Sequence, residues 1–310
     1  MEITQFEVGS KPQQSIVLAL GSFDGLHLED RRVIAAAKEV ATQVGQPLST
    51  LLFEPHPRRL LHPDQPPFNL MTYEQREREL RRLGVQRAYV GMFSNALAQL
   101  PPSEFIARVF RQSVAATHIC VSSRVQFGNG EPDRKAFLDA LRTSYGENLQ
   151  VIEPIRDASG QYINSNTVRD ALQRGDVAAA RAHLGRSFAI EGPIIHGAKL
   201  GRTIGFPTAN VPLGEYLRPA YGIYSSISRL PDGQSYPTIA YIGRRPTVNG
   251  IEELLEVNFL DFSGNLYGQV METDLVEFIR GDKTFPDLES LKVQIAADCA
   301  TARRLHGMPS

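Results

Sequence analysis

Only two cysteines, Cys120 and Cys299, occur in 310 residues, and they form no CxxC pair or Cys/His cluster. That excludes a zinc-knuckle or disulfide-scaffold design and predicts a reducing, cytoplasmic setting. An excess of charge of one sign is also missing: 33 Lys+Arg stand against 34 Asp+Glu, a net charge of −1. Nucleic acid or an anionic membrane recognised through bulk charge is therefore not expected as a partner. Long hydrophobic runs are absent; stretches such as Ile16 to Leu20 fall far short of the roughly 20 residues that span a bilayer. The opening MEITQFEVGSKPQQ lacks the basic-then-apolar pattern of a secretory signal, so the prediction is a chain neither secreted nor embedded. What is present, 42% hydrophobic and 22% charged residues, is ordinary for a globular protein, and the length fits two domains of about 100–200 residues each.

From Ser15 to Leu184, short aliphatic runs alternate with amphipathic stretches, the pattern of βα units around a parallel sheet. Strands are predicted at Ile16–Leu20, Leu48–Phe53, Ala88–Met92, His118–Ser122 and Leu149–Ile152. Helices are predicted at Arg31–Gln43, Tyr73–Leu83, Ser103–Phe110, Arg134–Leu141, Val168–Gln173 and Val177–Leu184. After Gly185 the periodicity changes. Gly- and Pro-bounded segments at Phe188–Ile195, Gly222–Ile227, Tyr236–Ile242, Leu254–Leu260 and Tyr267–Phe278 read as a β-barrel, followed by one helix over Leu288–Leu305. The expectation is a doubly wound α/β domain at 1–184 and a β-barrel domain with a terminal helix at 185–310.

The segment His196-Gly-Ala-Lys-Leu-Gly-Arg-Thr-Ile-Gly-Phe-Pro-Thr-Ala-Asn210 carries the densest chemistry. Gly197, Gly201 and Gly205 permit close approach of backbone N–H groups to an anion, and Lys199 and Arg202 supply positive charge. No Walker A spacing is present. Pro207 fixes the chain before Thr208 and Asn210, whose neutral oxygens lie two residues apart and point to one side of an extended segment, a donor pair that suits Mg²⁺. Taken alone, the same pattern also describes a Gly/Pro-rich barrel turn.

Gly201-Arg-Thr-Ile-Gly-Phe-Pro-Thr-Ala-Asn210 resembles the defining motif of flavokinases (riboflavin kinases). The likeness continues in order through Gly222-Ile-Tyr224, Ile242-Gly-Arg-Arg-Pro-Thr247, Leu255-Glu-Val257, Asp261-Phe262, Leu266-Tyr-Gly268 and Phe278-Ile-Arg280. The resemblance implies phosphorylation of riboflavin to FMN by Mg²⁺-ATP. It makes Thr208 and Asn210 the metal ligands and Glu256 the general base for the ribityl 5′-hydroxyl. It also puts Tyr224 against the nucleotide and Arg280 against the flavin. Asn258 stands where many relatives carry histidine, a change expected to be tolerated.

Leu18-Ala-Leu-Gly-Ser-Phe-Asp-Gly-Leu-His27 runs from a strand through a glycine-bounded turn towards a helix, a place where α/β sheets bind phosphates. Together with Phe53-Glu-Pro-His-Pro57, Leu83-Gly-Val85 and Phe127-Gly128, it resembles the adenylyltransferase half of bacterial bifunctional FAD synthetases. The resemblance implies transfer of AMP from ATP to FMN, with Gly21, Phe23, Asp24, Gly25, His27, Ser165 and Arg169 as the matching site residues. The family's HxGH tetrad is here His27-Leu-Glu-Asp30, so two carboxylates enter a phosphate-binding helix end, where they repel an anion. Two more segments depart: Asn164-Ser-Asn-Thr-Val-Arg169 replaces two hydroxyls by amides, and Arg124 stands in Val121-Ser-Ser-Arg124 in place of an acid or amide. The expectation is a first domain with weak or absent FAD synthesis. Compensation of Glu29 or Asp30 by Arg124, transfer of a different nucleotide, and a non-catalytic flavin- or nucleotide-binding or assembly module remain alternatives. No oligomeric state follows from the sequence.

Overall fold

A computed structural model describes residues 1–125, 127–128, 130–196, 205–247, 250–262 and 264–308. The chain divides into two compact units, residues 1–66 with 73–164, and residues 67–72 with 165–310.

The first unit is a six-stranded sheet of β1 (Glu2–Gln5), β2 (Ile16–Leu20), β3 (Leu48–Phe53), β4 (Arg87–Gly91), β5 (Ala116–Ser122) and β6 (Leu149–Ile152). The order is β1-β4-β3-β2-β5-β6, and every pairing is parallel. The five strands expected here are found, because runs such as Ile16-Val-Leu-Ala19, entirely buried, must be covered on both faces. The sixth, β1, has the polar sequence Glu-Ile-Thr-Gln and no hydrophobic signal. It is held at the sheet edge by register with Arg87 to Val90 and by an Arg87–Glu2 ion pair at 2.6 Å.

Around the sheet lie α1 (Leu28–Val44), α2 (Pro57–Leu61), α3 (Tyr73–Arg82), α4 (Asn95–Ala98), α5 (Pro102–Phe105) and α6 (Glu131–Tyr145). Helix α1 starts earlier than its hydrophobic pattern suggests because His27 caps it, Nδ1 accepting from the Asp30 N–H at 3.3 Å. The helix predicted at Ser103–Phe110 is instead α5 followed by a wider π-type turn over Ile106–Ser113. Strand order reverses at β2, so the crevice at the carboxyl ends of β2 and β5 is the topological switch point, where such sheets bind ligands.

The second unit comprises α7 (Ser165–Gln173), α8 (Val177–Leu184), β7 (Phe188–Pro193), β8 (Ala209–Pro212), β9 (Gly222–Arg229), β10 (Ser235–Thr247), β11 (Gly250–Phe259), β12 (Val270–Gly281) and α9 (Leu288–Leu305). Its strands run antiparallel in the order β7-β12-β9-β10-β11-β8. Among the described residues, Ile195, two residues past β7, bridges to Asn210 of β8, its N–H donating to the Asn210 carbonyl at 2.9 Å. The result is a near-barrel sealed at Asn210. Alternation along each strand turns Tyr224, Ala240, Ile242, Leu255, Val257 and Val211 into the core, which leaves their neighbours on the outer face. Residues of α7 and α8, among them Val168, Leu172 and Leu184, join that core, as does Leu70. Helix α9, capped by Asp287 on the Ser290 N–H at 2.7 Å, packs Ala302 and Cys299 onto Ile223, Ile239 and Ile279.

Candidate active sites

Because Leu255 and Val257 must face the core, Glu256 faces outward. Antiparallel register then sets it opposite Asn210 on β8 and opposite Tyr241 on β10. The same transverse row continues through Ile223 on β9 to Arg280 on β12, where a register shift after Phe278 brings Arg280 into line. Directly opposed residues have Cβ atoms about 4.5–5.5 Å apart, so Asn210, Glu256 and Tyr241 form one contiguous surface.

Each member of the row is in a different electrostatic state. Asn210 is 4% exposed, and its Oδ1 has no hydrogen-bond partner among the described residues, while its Nδ2 donates to the Thr208 carbonyl at 3.4 Å. Leaving a buried amide oxygen unpaired costs about 1–3 kcal/mol, a cost that a bound cation removes. Thr208 is half-buried beside it. Asn258 donates from Nδ2 to the Pro207 carbonyl at 2.7 Å and so fastens the turn that presents Thr208. Burial first, and Asp282 next, push the Tyr241 phenol up to about 12; it remains a donor, bonded to Asp282 at 3.2 Å. Its ring occupies the space a Cβ on Gly243 would need, so any larger residue at 243 displaces it.

Two residues expected at the ligands have structural partners. Tyr224 is wholly buried, packed on Phe278, with its hydroxyl donating to the Ala220 carbonyl. Arg280 pairs with the buried Asp298 of α9 at 2.6 Å. Gly205 adopts a left-handed φ of +91°, and Gly197, Lys199, Gly201 and Arg202 lie outside the described residues. Tyr241 and Asp282 escaped the sequence reading because only the β10–β11 register, which no local pattern encodes, brings Tyr241 beside Glu256.

In the first unit, the loop is buried from Phe23 to His27, and it is strained. Phe23 and Leu26 take positive φ values of 52° and 46° although neither is glycine, at about 1–3 kcal/mol each. Both are fully buried, and Asp24 is 1% exposed, so packing holds the strain in place. Gly25 shares the left-handed region, and a Cβ on Gly21 would press on the Phe23 ring at 3.0 Å.

At the start of α1, His27 Nε2 lies 3.2 Å from the Asp30 carboxylate. Glu29, 4% exposed, accepts from the Ser122 hydroxyl at 2.5 Å and from the Ile155 N–H at 3.3 Å. One carboxylate thus ties α1 across the switch-point crevice to the ends of β5 and β6. Arg124 has no ion pair with Glu29 or Asp30; it stacks on Tyr162. Ser165 begins α7, and Arg169, in the second unit, donates to the Phe68 carbonyl at 2.9 Å and to Asn166 at 2.7 Å. His56 caps α2, accepting from the Arg58 N–H at 3.1 Å, a turn-ordering role.

A parallel α/β sheet with a crevice at its strand reversal, joined to a near-barrel with a buried amide oxygen opposite a carboxylate, defines a two-domain nucleotide-dependent transferase. The riboflavin kinase family model matches residues 184–306 and the FAD synthetase model residues 9–167. The bifunctional riboflavin kinase/FMN adenylyltransferase of Escherichia coli strain K12 is 36% identical over 298 residues, covering 96% of this chain and 95% of that one. The enzyme of the same description from Haemophilus influenzae is 34% identical over 94% of each chain. A crystal structure described as a macrolide-efflux protein from Streptococcus pneumoniae superposes with a TM-score of 0.83 at 28% identity, covering 98% of this chain and 99% of that one. The chain belongs to the bifunctional riboflavin kinase/FMN adenylyltransferase family, and its C-terminal part is a riboflavin kinase domain. Among the described residues no helix is long and apolar enough to cross a membrane.

Proposed function

We propose that the second unit transfers the γ-phosphoryl group of ATP to the 5′-hydroxyl of riboflavin, and that FMN adenylyl transfer in the first unit is weak or lost. The observation that carries the kinase reading is the buried Oδ1 of Asn210, without a partner among the described residues and directly opposite Glu256. Thr208 and Asn210 would hold Mg²⁺, and an unpaired neutral oxygen next to a second one fits that hard cation. When bound, Mg²⁺ supplies charge neutralisation at the phosphate oxygens.

Glu256 accepts the proton of the 5′-hydroxyl as that oxygen bonds to the γ-phosphorus. The bond from phosphorus to the β–γ bridging oxygen breaks, and ADP leaves with its electron pair. Asn258 keeps the Pro207 turn, and with it Thr208, against β11. Lys199 and Arg202 neutralise the phosphate chain in this reading and the glycines at 197, 201 and 205 admit it; Arg280 would reach the flavin only by giving up part of its bonding to Asp298 and the Gly281 carbonyl.

The adenylyl-transfer reading rests on the use of the crevice by its own side chains. Glu29 takes the Ser122 and Ile155 donors, and Asp30 takes His27, so an incoming triphosphate meets carboxylates where its donors should be. In this reading the two activities divide after Leu184; the kinase family match over residues 184–306 supports that boundary, although the compact units divide at residue 165. Burial pushes the thiols of Cys120 and Cys299 up, to about 12 and about 11, so both stay protonated near neutral pH and neither enters the proposed chemistry.

The test is chromatographic. Purified protein with Mg²⁺-ATP and riboflavin is expected to accumulate FMN, and with Mg²⁺-ATP and FMN to yield little FAD. Failure to form FMN overturns the kinase reading. Rapid FAD synthesis overturns the loss of adenylyl transfer, and a rise in FAD in a Glu29→Gly, Asp30→His variant assigns that loss to the two carboxylates.

A further inference from the structure

We propose that the first unit carries a site for a phosphate chain, built by Arg124 and Arg156 on the two faces of Tyr162. The guanidinium carbons lie 4.1 and 3.6 Å from the ring centroid. Neither distance is compatible with a group in the ring plane, where ring atoms intervene. Two groups on one face would collide at a contact distance of about 3.5 Å. The arginines therefore take opposite faces, and the ring fixes them roughly 7–8 Å apart, each held by cation–π attraction.

Their hydrogen-bonding capacity is largely unspent. Arg156 gives one N–H to the Gly160 carbonyl at 2.6 Å. Among the described residues no carboxylate pairs with either guanidinium, and Arg124 makes no side-chain hydrogen bond. Among the described residues Arg124 keeps its donors and Arg156 most of them, and a guanidinium fork binds phosphate oxygens two at a time.

The position is as telling as the chemistry. Arg124 follows β5, its N–H donating to Ser122 Oγ at 3.0 Å, and Arg156 follows Ile155, whose N–H serves Glu29. Both cations stand at the carboxyl ends of neighbouring strands beside the switch point. The helix end that ordinarily receives phosphate in such sheets is committed to His27, Glu29 and Asp30. At the ends of β5 and β6, positive charge is offered by the arginine pair instead. Two forks separated by a ring suit two groups of a phosphate chain better than one lone anion, so the ligand class is a nucleoside di- or triphosphate or free polyphosphate. This site is independent of the kinase reading and rests on the reading that the helix end at His27 no longer receives a triphosphate.

Calorimetric titration of the full chain with a non-hydrolysable ATP analogue, and separately with tripolyphosphate, tests the proposal. The wild type is expected to bind the analogue at two equivalents, one of them at the kinase. Arg124→Ala or Arg156→Ala is expected to weaken the other equivalent about tenfold or more, leaving the KM for ATP in riboflavin phosphorylation unchanged. Tyr162→Leu frees the arginines and weakens it less. Tripolyphosphate competing for the same equivalent makes the phosphate chain the determinant, whereas analogue binding without it assigns part of the recognition to the nucleoside. One equivalent in the wild type at millimolar ligand overturns the site, and so does a second equivalent that survives the double arginine variant. Absence of riboflavin phosphorylation counts against the kinase reading alone, because the second equivalent is read from binding.

Discussion

The two units treat a polar side chain at the functional edge in opposite ways. Glu29 in the first is buried with both carboxylate oxygens bonded, one to Ser122 and one to Ile155. Asn210 in the second is equally buried, with Oδ1 left over among the described residues. A satisfied polar group stabilises the fold and offers nothing to a ligand; an unsatisfied one costs stability and is free to bind. The contrast separates a crevice stitched shut by its own residues from a face still built to coordinate.

The comparison breaks most readily at Glu256. Glu256→Gln is expected to lower kcat for riboflavin phosphorylation by about 10²–10⁴-fold with circular dichroism unchanged, the range for losing a general base; near-normal turnover would remove Glu256 from the chemistry. Next, Asn210→Ala is expected to raise the Mg²⁺ concentration needed for half-maximal rate by about tenfold. Thermal stability is expected to change little, since removal of the unpaired oxygen relieves its cost and offsets loss of the long Nδ2 bond to the Thr208 carbonyl. Glu29→Ala has the opposite signature: a loss of about 1–3 kcal/mol in urea unfolding with the kinase rate intact. A Glu29→Ala variant as stable as the wild type would show that the crevice is not stitched as described.

Smaller effects sharpen the picture. Asn258→Ala frees the Pro207 carbonyl and is expected to lower kcat several-fold while leaving binding of FMN unaltered, read by flavin fluorescence titration. Glu253 supplies a pH test. Its carboxyl lies below the ordinary 4.5, chiefly through the Tyr221 hydroxyl and then Arg218. A folded value below the unfolded one means that this stabilisation is complete above 4.5 and is lost as pH falls through the lower folded value. Glu253→Gln is therefore expected to flatten the acid limb of the stability profile by less than about 1 kcal/mol, as befits a partly exposed pair.

Much of the architecture was legible in the chain. Buried runs such as Ile16–Leu20 and alternation such as Leu254-Leu-Glu-Val-Asn-Phe259 specify a strand and its faces, since burial requires apolar residues at the right period. The edge strand Glu2–Gln5 and the short strand Ala209–Pro212 were not legible, being four residues each and identified only by what they pair with. Glu256, Thr208 and Asn210 were found from motif resemblance, and register explains why they belong together.

The sequence alone determined the two-domain layout, the family, and the presence of Glu29 and Asp30 where the family carries other residues. Only the tertiary structure decided what those residues do. It gave Glu29 the donors of β5 and β6, left Asn210 with an unanswered oxygen, stacked Arg124 and Arg156 on one tyrosine and laid Tyr241 beside Glu256. The physical reason is range: hydrophobic period and turn chemistry are local and can be read along the chain. Hydrogen-bond partners at strand ends and between neighbouring barrel segments are chosen by residues roughly a hundred positions away in one unit and about forty to fifty in the other, and come into being only when the sheet closes.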